Sequence, residues 1–341
     1  MKAANMNMVA VKPEGNQGGG WVRRLGLREL ALVPVIILLC IVGASVSDAF
    51  LRPSNLINIL QQSSELSIIV IAQALILIAG RFDLSMESTV GIAPMVAAWL
   101  MLSDTSIGGS GLGIPGWAGI LVVFSIGALV GLINGFLIVR LGLNAFITTL
   151  AMLILLRGMT VGMTNGQTLY GLPDEFLYLG NSKWFGLPVS IWIAGLLYIA
   201  FGLFLRYHRI GRNFYAIGGN PQAARVAGIP VDRMVWAAFI IGGLLAALAG
   251  LMLTGRIASV VASQGQNMIF YVFAAAVIGG ISLNGGQGRL IGALTGVLML
   301  GILQNVLTLA QIAAFWIDAC FGAIILIALI IARISGGTPR S

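Results

Sequence analysis

Side chains suited to acid–base or nucleophilic chemistry are scarce in this 341-residue chain. The single histidine, His208, stands among arginines in "RYHRIGR", with no nucleophile or paired acid beside it. No H-E-x-x-H occurs, and Cys40 and Cys320 lie in apolar runs, where a lone cysteine is a packing residue. The three lysines, Lys2, Lys12 and Lys183, fall outside any G-x-x-x-x-G-K-[ST] pattern, so this chain carries no P-loop for ATP. No catalytic residue, metal or cofactor is expected in it.

The chemistry left is weak polar contact inside apolar segments. Asn134, Asn305, Gln304 and Thr148, with Gln73 and Thr149, stand in otherwise oily runs. Each needs a partner away from lipid. One reading is hydrogen bonding between helices, worth about 0.6 kcal/mol apiece. The other is a wet path that offers contacts to hydroxyl groups. Three ionisable residues, Glu65, Arg157 and Asp318, are read as lying within spans. None is expected at mid-depth, which counts against an ion-coupled carrier working alone, and Arg157 is expected to snorkel or cap. In "GRFDLS", Asp83 or Ser85 either caps the helix that follows or, through an Arg81–Asp83 pair, sets a gate.

One stretch reads like soluble protein. In "GGNPQAARVAGIPVDR", Asn220 can cap a helix, Pro221 suits its first position, and Gly228 with Pro230 can end it. The spacing predicts a helix over 221–227. Ala223, Ala224 and Ala227 are expected to share a small-residue face. A helix this short is marginal alone and must be held by the rest of the chain or by a partner. Alanines anchor poorly in headgroups and suit a protein groove. Ala224→Glu is expected to break such docking while leaving the spans folded.

The elements that must position these residues are transmembrane helices. The chain is 58% hydrophobic and only 9% charged, against about 25% charged in soluble domains. With 46 glycines it suits close helix packing in a bilayer. Ten spans are expected, near 30–48, 57–79, 84–103, 116–139, 144–164, 188–206, 234–254, 268–283, 290–310 and 313–333. The second opens with the polar "NILQQSSELS" and is expected to be buried among helices or to begin at the interface.

Charge fixes the orientation. With the N-terminus cytoplasmic, fifteen of the 19 basic residues fall in cytoplasmic segments, and only Arg52, Lys183 and Arg256 in outer loops. Both termini are then cytoplasmic. The net charge of +8 is spread between apolar runs and not gathered with aromatics, so nucleic acid is not an expected partner. The expected organisation is a disordered tail over 1–28, one membrane domain over 29–335 with a cytoplasmic loop at 207–233, and a short tail over 336–341. A weak internal echo links "IAGRFDLS" at 78–85 with "IGGISLNG" at 278–285, and "GLINGFLIV" at 131–139 with "GILQNVLTL" at 301–309. It places Asn134 and Asn305 at matching positions, as in transporters built from repeats.

The loop "GRNFYAIGGNPQAARVAGIPVDR" resembles the cytoplasmic loop of ribose-type permease subunits of bacterial ABC importers. So do "GRFDLSMES", "GLINGFLIVRLGLNAFITTLAMLILLRGM" and "AAAVIGGISLNGGQGRLIGALTGVLMLGILQN", which together run in the family's order over about 65–310. The resemblance implies an all-α inner-membrane permease that moves a monosaccharide or related polyol by alternating access. It implies a homodimeric or heterodimeric permease, a cytoplasmic ABC ATPase that binds the ATP, and an extracytoplasmic solute-binding protein. It also implies that Asn220, Pro221, Ala223, Ala224, Ala227 and Gly228 form the helix that couples to the ATPase. A permease for branched-chain amino acids is the sibling alternative. The chain departs from the family pattern in three places: "GRFDLS" replaces "GGIDLS", Asn144-Ala145-Phe146-Ile147 replaces Pro-Phe-Ile, and no Glu-Leu-Asp precedes "IGG".

Overall fold

The structure, a computed structural model, describes residues 32–105 and 108–335. The expected tails over 1–28 and 336–341 lie outside the described residues. Thirteen α-helices follow in order among the described residues. They are α1 (Val33–Val46), α2 (Pro53–Ile78), α3 (Met86–Met101), α4 (Gly116–Gly135), α5 (Ala145–Thr164), α6 (Asp174–Asn181) and α7 (Val189–Tyr207), then α8 (Arg209–Gly219), α9 (Pro221–Val226), α10 (Val231–Ile257), α11 (Met268–Ile278), α12 (Leu290–Leu309) and α13 (Ala314–Ser335). A π-helical turn, Phe136–Arg140, prolongs α4. Two small antiparallel strand pairs join Leu169–Tyr170 to Ser259–Val260 and Lys183–Trp184 to Leu187–Pro188.

Among the described residues, six helices are long and apolar enough to cross a bilayer: α2, α4 with its π turn, α5, α7, α10 and α12. The other four expected spans coincide with α1, α3, α11 and α13. Of these, α1, α3 and α11 hold 14, 16 and 11 residues. At a rise of about 1.5 Å per residue they measure roughly 21, 24 and 16 Å, short of the ~30 Å hydrocarbon core. A helix thus stands at each of the ten expected positions, α13 with 22 residues among them, while length and hydropathy alone support six crossings among the described residues.

The core is built on α2 and α10, which each touch several neighbours. Every residue of α2 from Ser67 to Ile78, and its cap Ala79, is buried. This explains the polar start of that helix, for Ser63, Ser64 and Glu65 also face other helices and not lipid. Against α4, α10 approaches on small residues. A Cβ on Gly127 would lie 2.6 Å from the Ala247 methyl, and one on Gly131 2.7 Å from the Ile240 Cα. Only hydrogen at these positions lets the helices pack so closely.

Two breaks interrupt the bundle where the sequence echoes itself. After α2, Arg81 N–H donates to Ile76 O and Gly80 N–H to Leu77 O. After α11, Ile281 N–H donates to Ala276 O and Gly280 N–H to Val277 O. Both are the same helix-ending pattern, with Gly80 at φ +72° and Gly280 at φ +85°. The asparagine half of the echo does not correspond. Asn305 is on α12, the helix directly after its break, whereas Asn134 is on α4, two helices after its own.

Candidate functional site

The helix α9 is terminated as its residues dictate. Asn220 Oδ1 accepts from Gln222 N–H and Ala223 N–H, both at 3.0 Å. Pro221 occupies the first turn, where its missing N–H costs nothing. At the other end Ile229 N–H donates to Ala224 O at 3.0 Å and Gly228 N–H to Arg225 O at 3.0 Å, with Gly228 at φ +79°. Helical geometry stops at Val226, with Ala227 as the cap, one residue earlier than expected. An Arg225–Asp232 ion pair ties the helix to the first turn of α10.

The expected alanine face is divided. Ala224 is turned inward and buried, while Ala223, Ala227 and Gly228 are exposed. Val226 is 91% exposed and is the prominent apolar side chain of this helix. Ala224→Glu would therefore put a carboxylate into the loop's own packing and is not a clean probe of docking. Val226 is.

A cavity of about 590 Å³ opens between the α2–α3 break, α5 and α11. Phe82, Phe146, Phe273, Val277 and Leu283 are among its apolar lining residues. The Phe82 ring stacks on Phe273 at 6.0 Å and meets Phe146 edge-on at 6.3 Å. Its polar groups are Glu87, Arg157, Gln266 and Asn267. Arg157 lies eleven positions beyond Phe146 on α5, about 16 Å along the axis, so polarity is graded from one end to the other.

Arg157 neither snorkels nor caps. Its Nη2 donates to Glu87 Oε1 at 3.2 Å and its Nη1 to Gln264 O at 2.8 Å. Gln264 in turn donates through Nε2 to Val90 O, Gly250 O and Thr254 Oγ1, each at 3.1 Å. One charge pair thus ties α3, α5, α10 and the segment before α11. Glu87 is not among the ionisable residues expected inside spans. A signal for it exists in the sequence: a lone arginine in a span requires a buried acid, and Glu87 opens the neighbouring helix.

The other polar residues do not gather at this cavity. Asn134 is fully buried and donates through Nδ2 to Ser85 Oγ at 2.8 Å. Ser85 Oγ donates to Asp83 Oδ1 at 2.6 Å, and Asp83 also accepts Ser85 N–H at 2.8 Å. Asp83 therefore organises the chain just ahead of α3 and forms no ion pair with Arg81. Asn305 exchanges hydrogen bonds with Asn55 at 2.9 and 3.0 Å, near the end of α12 and the start of α2. Gln304 is exposed, and Thr148 is buried in the first turn of α5. Asp318 accepts the Tyr271 hydroxyl at 2.7 Å, and Glu65 is held by Arg256. Asn134, Asn305, Asp318 and Glu65 each join one element to another through these bonds.

A multi-pass helical protein with a cavity between its helices and a capped helix outside its core has the form of a membrane permease. Comparison with known proteins agrees. A family model described as branched-chain amino acid transport system / permease component matches residues 55–329, and the chain belongs to this family. It is 32% identical over 309 residues to the ribose import permease protein RbsC of Escherichia coli K12, covering 89% of this chain and 93% of that one. It is 33% identical over 323 residues to the L-arabinose ABC transporter permease protein AraH of Azospirillum brasilense, covering 94% and 91%. To the L-arabinose permease AraH of E. coli K12 it is 37% identical over 268 residues, 78% of each chain. No solved structure gives a significant match.

Proposed function

We propose that this chain is the membrane-spanning subunit of an ATP-driven importer for a monosaccharide or related polyol. The observation that carries the reading is α9, a six-residue helix capped at both ends, braced on its own chain by Ala224, and presenting Val226 outward. Its N-cap and stop signals make it a rigid handle with no catalytic role of its own. A cytoplasmic ABC ATPase gripping it supplies the work, and ATP binds on that partner. The ribose and arabinose permeases that match over most of this chain support a sugar as cargo in preference to a branched-chain amino acid.

In this reading the chain crosses the inner membrane ten times, with both termini and α9 cytoplasmic. Arg81, Arg140, Arg206, Arg212, Arg225, Arg233 and Arg289 all lie on the α9 side of such a topology, which supports the orientation. Asn220, Pro221, Ala223, Ala227 and Gly228 shape the handle, and Ala224 seats it. A second permease subunit covers the apolar outer face of α5, where Ile147, Ile154 and Leu155 are exposed. An extracytoplasmic binding protein delivers cargo to the opposite side. The buried carboxylates are held in ion pairs and hydrogen bonds, which disfavours a proton-coupled carrier.

The test is isolation in mild detergent from the membrane of its own cell. The chain is expected to bring down an ABC ATPase in stoichiometric amount. A monodisperse, folded chain free of any ATPase contradicts the reading.

A further inference from the structure

We infer that a junction of bare backbone at Gly80, Gly218 and Gly285–Gly286 carries movement of α9 to the aromatic wall of the cavity, which makes Phe82 a positioning residue for translocation. The inference rests on the proposed ATP-driven reading and extends it to the residues that pass the motion on.

Only Asn220 separates α9 from α8, so the two helices move together. The seat of α8 is firm: Phe214 and Ile217 are each 1% exposed, and the Tyr215 hydroxyl donates to Gly288 O at 3.0 Å. At its end, α8 meets both breaks at once. Gly286 N–H donates to Ile78 O at 2.9 Å, and a Cβ on Gly218 would overlap both of those atoms. A Cβ on Gly285 would stand 2.7 Å from Gly80 Cα and 2.9 Å from Gly218 O. Three chain segments touch here with no side chain between them. A side chain can absorb a small shift by changing rotamer, whereas packed backbone passes it on.

What the junction would move is near at hand. Phe82 lies two residues from Gly80, and Leu283 two residues from Gly285, and both line the cavity. Phe82 also has a fixed side. The residues after it, Asp83 and Ser85, are pinned to α4 through Asn134. Phe82 thus sits between a driven point and an anchored one. A displacement at Gly80 turns its ring against Phe146 and Phe273 and opens or closes that end of the cavity.

The test uses the transporter assembled from this chain, its ATPase and its binding protein in proteoliposomes. Sugar uptake and ATP hydrolysis are measured on the same vesicles. Gly218→Ala is expected to lower sugar moved per ATP about tenfold while hydrolysis persists, within the range for substitutions along coupling networks. Uptake and hydrolysis falling in proportion, or neither changing, overturns the inference. Should Gly218→Ala prevent assembly, Phe82→Ala decides, because it leaves the junction intact. It is expected to let preloaded sugar leak without ATP, with Phe82→Leu restoring the seal. Tight vesicles with Phe82→Ala overturn the inference. If wild-type uptake needs no ATP, the ATP-driven reading itself falls, and that result is separate from both variants.

Discussion

Arg256→Leu is expected to lower the thermal stability of the protein sharply. Arg256, in the last turn of α10, grips Glu65 of α2 with two hydrogen bonds at 2.7 and 3.0 Å. The Glu65 side chain is 2% exposed, whereas Arg256 is 26% exposed. Removing the guanidinium strands a carboxylate between the two helices that form the core. Breaking a buried pair in this way costs about 3–5 kcal/mol, more than the pair contributes over an apolar replacement. Thermal unfolding of the detergent-solubilised protein should show a large drop in midpoint. The companion Glu65→Leu/Arg256→Leu should recover most of it, since no unpaired charge remains. A single variant as stable as wild type would show that Glu65 has another partner or reaches water.

The second large effect is functional. Val226→Glu is expected to abolish uptake with the fold intact. Val226 is 91% exposed in the isolated chain, and a surface substitution changes stability by only about ±0.5 kcal/mol. If an ATPase groove receives this side chain, a carboxylate there costs upward of ~2 kcal/mol of binding, roughly thirtyfold in affinity. Titrating the ATPase onto nanodisc-held permease checks this directly. Unchanged affinity with lost uptake would place the ATPase contact elsewhere on the loop. Ala224→Glu cannot replace it, because Ala224 is packed beneath the helix and its substitution would disturb the loop before any docking.

Much of this molecule is legible in its sequence, and the failures have identifiable causes. The start, cap and stop of α9 follow from Asn220, Pro221, Gly228 and Pro230, since local hydrogen bonds alone decide them. The long spans follow from hydropathy to within a few residues. The end of α11 does not, because the glycine break at Gly279–Gly280 sits inside a run that remains apolar. Which face of a short helix is buried is also beyond a small-residue pattern: Ala223 and Ala224 are chemically alike, and only tertiary contact distinguishes them. Pairings distant in sequence are the hardest. Glu87 with Arg157 and Glu65 with Arg256 are separated by 70 and 191 positions. The rule that a buried charge needs a partner predicts that such pairs exist and leaves their identity to the fold. The asparagines show the converse error, for a sequence echo made Asn134 and Asn305 look equivalent when they serve different contacts.

The central claim is that ATP hydrolysis on a separate chain, and no ion gradient, moves a sugar through this protein. Proteoliposomes holding the permease with its ATPase and binding protein test it with radiolabelled ribose and arabinose. One set receives ATP together with an uncoupler, the other an imposed proton or sodium gradient without ATP. The expected result is accumulation of one sugar in the first set and none in the second. Accumulation driven by the gradient alone, with no requirement for ATP, would contradict the claim.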